Sequence, residues 1–145
     1  MADKFNFKDL ERKAGKAMRE SIVEISNMAK NHYVQSFRDG GFTDENKEVW
    51  KPRKQEDKKR AGRATLVDSG ELRRSVVVKN INLQQLKVVI GSDLPYAAIH
   101  NYGLNGKAWG KYPFKMPQRQ FIGKSEQVDK KAVKIIEKRI DILFK

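Results

Sequence analysis

At 145 residues and 16.7 kDa the chain has the size of one domain, able to bury roughly 68–70% of the surface it exposes when unfolded, so a single domain over residues 1–145 is expected. Lys and Arg number 31 against 18 Asp and Glu, a net charge of +13, and there is no Cys, which excludes a disulfide framework and any thiolate-held zinc or iron–sulfur centre. Only 39% of residues are hydrophobic and 34% are charged, yet the apolar ones recur in periodic segments, so the chain is expected to fold.

From Phe7 to Phe37 apolar side chains recur at three- and four-residue steps: Phe7, Leu10, Ala14, Ala17, Ile22, Ile25, Ala29, Tyr33 and Phe37. This is the stripe of one amphipathic helix. Unbroken, it runs on the order of 45 Å, long for a domain of this size, so part of the stripe is expected to be covered by another subunit. Gly15 is its weak point, and Asp39-Gly40-Gly41 closes it, since glycine takes the left-handed cap conformation without a clash.

Residues 43–64 are polar, with Val49 and Trp50 the main apolar side chains. They read as a mobile basic loop anchored at Trp50. Asp68-Ser69-Gly70-Glu71-Leu72 places capping residues before a short helix ending near Ser75. Val76–Ile81 and Lys87–Ile90 are rich in β-branched residues and predict an antiparallel strand pair. Leu94-Pro95 opens a second short helix that continues to Gly103, and Leu104–Phe114 reads as a hairpin or loop. Val128, Ala132, Ile135, Ile136, Ile140 and Leu143 define a closing helix capped by Ser125. The fold class expected is α+β: a long N-terminal and a C-terminal helix packed on a small, mainly antiparallel sheet.

No apolar run approaches the ~18 residues of a membrane helix, and Met1-Ala2-Asp3-Lys4 leads into a charged amphipathic run without the apolar core of a signal peptide. A cytoplasmic protein with no membrane association is expected. The charge is unevenly placed. Residues 1–50 carry nine basic and nine acidic side chains, and residues 51–145 carry 22 against nine. Between Leu94 and Ser125 there is no acid at all.

Two histidines, no cysteine and no carboxylate cluster leave most hydrolytic and metal chemistry without its groups. His32 and His100 show no ligand spacing, and His100 is read as structural. Gly103, Gly106 and Gly110 do not follow a strand into a helix with a Gly-Lys-Ser/Thr step, so they read as turns, not as a phosphate cradle. The chain is expected to be no enzyme, with no cofactor and no small-molecule substrate.

Two tracts suit a polyanion or an acidic partner. The first holds Lys51, Lys54, Lys58, Lys59, Arg60 and Arg63; the second interleaves Lys107, Lys111 and Lys115 with Trp109, Tyr112 and Phe114. Cations gain from counterion release at phosphates, and aromatics stack on unpaired bases. The plainer account is a solvated loop followed by a strand whose aromatics face the core.

Five segments in order carry a resemblance. Trp50-Lys51-Pro52-Arg53, Leu66 to Ser75 (LVDSGELRRS), Val88-Val89-Ile90-Gly91-Ser92, Tyr96 to Gly103 (YAAIHNYG) and Met116 to Ser125 (MPQRQFIGKS) together resemble the phage virion morphogenesis family, the tail-completion proteins of tailed bacteriophages, over about residues 5–140. The resemblance implies a structural protein made in the bacterial host cytoplasm and incorporated into the virion at the tail or head-tail interface. It would complete the tail or join tail to head as a homo-oligomeric ring, with other tail or neck proteins as partners; the basic tracts leave sequence-nonspecific nucleic-acid binding as the alternative function.

Within those segments, Trp50, Tyr96, Tyr102 and Phe121 read as core anchors, with an interface role as the alternative. Arg53, Arg73, Arg74 and Arg119 are either surface charges or groups that pair across subunits. Trp50, Arg53, Arg73, Arg74, Tyr102 and Arg119 are thus the candidate interface residues.

Overall fold

The computed structural model describes residues 5–53 and 62–145. Its first element is helix α1, Phe7–Asp39, whose N-cap Asn6 accepts hydrogen bonds from the backbone N–H groups of Lys8 and Asp9. These satisfy two of the donors that a helix start leaves open. At 33 residues it rises about 50 Å. It runs through Gly15 without interruption, because one interior glycine costs only about 1 kcal/mol. It ends at Gly40, which takes the left-handed conformation at φ 64° and donates its N–H to the Ser36 carbonyl.

Helix α4, Glu126–Leu143, lies antiparallel along α1. Its N-cap Ser125 comes within 3.4 Å of the His32 ring, and Arg139 reaches back to Glu20 and Glu24 at 2.6 and 2.9 Å. Small buried residues on α1, among them Ala17, Ser21 and Ala29, leave room for close packing. The hydroxyl of Ser21 is satisfied within its own helix by the Ala17 carbonyl at 2.8 Å. At the start of α1 the Phe7 side chain is 76% exposed.

Among the described residues the strands form three separate two-stranded antiparallel ladders. Strands β1 (Gly41–Thr43) and β2 (Lys47–Val49) form the first. The first part of the segment expected to be a loop is therefore a hairpin. Its second strand is exposed at every position, so no apolar alternation marked it. Asp44 at its turn accepts from the Ser125 hydroxyl at 3.1 Å and the Gln127 backbone N–H at 3.2 Å, pinning the start of α4. Strands β3 (Val77–Asn82) and β4 (Lys87–Gly91) pair as the sequence predicts, with a bulge between Val78 and Asn80. Strands β5 (Asn105–Ala108) and β6 (Tyr112–Lys115) form the third ladder. The short helices are α2 (Glu71–Ser75) and α3 (Ala97–Tyr102).

The core sits at the C-terminal end of α1 and gathers Phe37, Trp50, Leu72, Val76, Ala97 and Phe121. Phe37 stands edge-on to Trp50 with centroids 5.6 Å apart and packs on Phe121 at 5.1 Å. The segment before α4, residues 116–124, has no regular ladder. Its backbone groups are satisfied instead by the Leu104 and His100 carbonyls, which accept from the Met116 and Arg119 N–H groups, and by the side chains of Tyr33, Trp50 and Asn101.

Candidate interface sites

Trp50 is 5% exposed and donates its indole N–H to the Gln120 carbonyl at 2.8 Å. It is a core anchor, and its assignment to a partner surface is corrected: no neighbour reaches a side chain enclosed by Phe37 and residue 120. Phe121 is likewise enclosed. Arg119 is 7% exposed, and its guanidinium donates to the backbone carbonyls of Lys51 at 3.0 Å and Pro52 at 3.4 Å. It is no surface charge either. It ties the segment before α4 to the chain that follows Trp50.

Arg53 lies beside it, half-buried, with Nη2 donating to the Ala64 carbonyl at 3.1 Å. Its Nη1 is enclosed and has no partner among the described residues. Both guanidiniums face a recess of about 420 Å³ that also receives His100 and Tyr96. The Tyr96 hydroxyl donates to Glu71 at 2.8 Å. Burial, and then the positive charge of Arg119, push His100 below the ordinary histidine value, which keeps the ring neutral at pH 7. Its Nδ1 is enclosed without a partner among the described residues.

Arg73 and Arg74 end α2 at the edge of this recess. The point where a Cβ on Gly70 would stand is 2.9 Å from Arg74 Nη1 and 3.8 Å from Arg73 Nη2. Arg74 also holds the Ser69 carbonyl at 3.0 Å. Two of the six expected interface residues, Arg53 and Arg119, thus line one recess, and the guanidiniums of Arg73 and Arg74 lie beside its lining residue Gly70. Sequence reasoning missed Glu71 and Tyr96 as partners in the same place. The 25-residue gap between them leaves no local signal.

Tyr102 stands apart at the end of α3, 64% exposed. Its reading as a core anchor is corrected, and its alternative as a contact residue is open to solvent. Gly103 caps that helix at φ 64°, with Gln118 backbone atoms so close that an added Cβ would fall 2.9 Å from the amide nitrogen. Only glycine lets residue 118 cross there.

The β5–β6 hairpin is the other candidate surface. Its aromatics do not face the core: Trp109 at the tip is 90% exposed, and Tyr112, edge-on to it at 6.4 Å, is also exposed. Among the described residues the hairpin pairs with no other strand, so no neighbouring strand draws these rings inward. Phe114 instead lies across Gly106, 2.5 Å from where a Cβ would be. Lys107, Lys111 and Lys115 are exposed along the same hairpin. In the first basic tract Lys51 is exposed and Arg63 pairs with Asp68, whereas Lys54, Lys58, Lys59 and Arg60 lie outside the described residues, as does the middle of the loop expected over 43–64.

Among the described residues no His, Asp and Glu are grouped to hold a metal ion, and no helix is long and apolar enough to cross a membrane. No curated protein and no solved structure matches the chain. A model of the phage virion morphogenesis family matches residues 6–141, a span that includes α1, the recess, the exposed hairpin and nearly all of α4. The chain belongs to the phage virion morphogenesis family.

Proposed function

We propose that this morphogenesis protein acts in tail completion or head-tail joining, as a non-catalytic subunit of a ring made in the host cytoplasm and carried into the virion. The observation that carries this reading is the β5–β6 hairpin, with Trp109 and Tyr112 held in solvent on a two-stranded ladder whose outer edges are unpaired among the described residues. Exposed aromatics and open strand edges are the chemistry of docking. A second apolar patch, Phe5 edge-on to Phe7 at 4.8 Å, stands at the start of α1. Two unlike patches on one subunit suit the heterologous, head-to-tail contact from which a closed ring is built.

Deleting the gene from the parent phage tests the reading. Electron micrographs of the lysate are expected to show filled heads and tails that fail to join, with joining restored by the purified protein. Normal infectious particles from the deletion would overturn it.

A second reading uses the same hairpin for sequence-nonspecific nucleic-acid contact, because Lys107, Lys111 and Lys115 accompany the exposed rings. Three phosphate contacts would make the logarithm of affinity fall with the logarithm of salt at a slope near −2 to −3. Replacing the three lysines with Gln should flatten that slope by about 3 if they make it. Assembly through apolar contacts would leave a salt-insensitive association instead.

A further inference from the structure

We infer that the recess between Arg53 and Arg119 is a binding site for a protein carboxylate, an Asp or Glu side chain that another subunit inserts. The chemistry of the recess stands without the ring reading; only the source of the side chain rests on it. Two guanidiniums face the same recess, and arginine stays protonated in either environment. Burial and the neighbouring charge of Arg53 both work against the protonated form of Arg119. Like charges held together and partly desolvated are costly unless an anion joins them.

Among the described residues no side-chain hydrogen bond joins a carboxylate to either guanidinium. Arg119 spends its donors on the Lys51 and Pro52 carbonyls, and Arg53 on the Ala64 carbonyl. Two carboxylates line the recess itself, and each is held by another partner, Glu71 by the Tyr96 hydroxyl and Asp68 by Arg63. Meanwhile Arg53 Nη1 and His100 Nδ1 are both enclosed without a partner among the described residues. Each such group carries a desolvation penalty that a bound oxygen would relieve. A guanidinium fork and an imidazole N–H are donors of the kind that hold a carboxylate.

Apart from residues 68–71, Tyr96, His100 and the two arginines, the recess is lined by Leu66, Leu72 and Met116, whose apolar side chains fit the methylene stem of an acidic side chain better than they fit a free phosphate. A phosphate on a duplex stays on the duplex surface, whereas a side chain on a loop reaches into a recess.

The test uses the full chain, isotopically labelled, with two probes: N-acetyl-glutamate methylamide and inorganic phosphate. The Nε–H signals of Arg53 and Arg119 and the His100 ring should shift saturably with the glutamate probe, at about tenfold lower concentration than the exposed Arg19 and Arg38. The Arg53→Gln variant should abolish the effect while keeping its thermal transition, and Arg53→Lys should retain part of it. Pocket signals that move only together with Arg19 and Arg38, or that respond to phosphate first, would overturn the inference.

Sedimentation and tail attachment then separate the sources. Loss of self-association in Arg53→Gln identifies a second copy of this chain. Intact self-association with lost attachment to tails identifies another virion protein. If neither responds, the recess holds no subunit side chain, and the inference fails whether or not heads and tails still need this protein to join.

Discussion

The side-chain amide of Asn101 serves as the backbone partner of Phe121. Its Oδ1 accepts the N–H groups of Phe121 at 2.9 Å and Ile122 at 3.0 Å, and its Nδ2 donates to the Ile122 carbonyl at 3.0 Å. A strand would satisfy those groups with a neighbouring strand; here one buried side chain on α3 does so. Asn101→Ala leaves three polar groups of an enclosed segment unpaired, each a loss of about 1–3 kcal/mol when buried. The variant should lose about 3 kcal/mol or more in urea unfolding, with its midpoint lowered and its slope unchanged. A loss under about 1 kcal/mol would show that the segment is held by Phe121 packing alone.

Arg119 is expected to behave as a structural residue. Arg119→Met keeps much of the packing volume and removes the donors to the Lys51 and Pro52 carbonyls. Charged hydrogen bonds contribute about 1.5–3 kcal/mol each, so a destabilisation of about 2–3 kcal/mol is expected, with Arg119→Lys between the two. Thermal unfolding of the three proteins checks the order.

Trp109→Ala should separate folding from assembly. The side chain is 90% exposed, and surface substitutions of this kind usually stay within about 0.5 kcal/mol. The unfolding midpoint should therefore be unchanged while the capacity to restore head-tail joining in a deletion lysate drops at least tenfold. Full complementation by the variant would remove the hairpin from the docking surface.

Arg139 bridges α4 to α1 through Glu20 and Glu24, but all three side chains are one-third exposed or more. Solvent screens such pairs, so Arg139→Ala should cost about 1 kcal/mol or less. The difference from wild type should shrink as salt is raised, as measured by denaturant unfolding at low and high ionic strength.

His100 predicts a pH dependence. Its folded value lies below the ordinary 6.5, first because it is buried and then because of Arg119. The unfolded chain therefore takes up its proton at higher pH than the folded one. The contribution is fully present above about pH 6.5 and is lost as the pH falls toward the folded value. Asp9 is shifted below 3.8 by bonds from Lys13 and Arg12, so its contribution fades only at lower pH. His100→Gln should flatten the stability profile just below pH 6.5 and leave the more acidic limb in place. An unchanged slope in that window would assign the dependence to other groups.

Much of the architecture is legible locally. The period of Phe7 to Phe37, the Gly40 and Gly103 caps and Ser125 before Val128 each act within one or two turns of chain, so their spacing suffices to place α1, α3 and α4. The β1–β2 hairpin was not legible because β2, Lys47–Val49, is polar and exposed and lacks alternation. Nor does spacing reveal where an aromatic goes. Trp50 and Trp109 both sit in basic surroundings, yet one is buried beside Phe37 and the other stands in solvent.

The sequence by itself determined the helices, the β3–β4 pair, the α+β class, the uneven charge and the family, because periodicity, caps and motif order are properties of neighbouring residues. Only the tertiary structure decided which arginines are available. Arg119 is spent on carbonyls 67 and 68 positions away, Arg53 keeps a nitrogen without a partner among the described residues, and these two arginines from distant segments line one recess. Burial and hydrogen-bond satisfaction depend on what folds against a side chain, and those partners lie far along the chain.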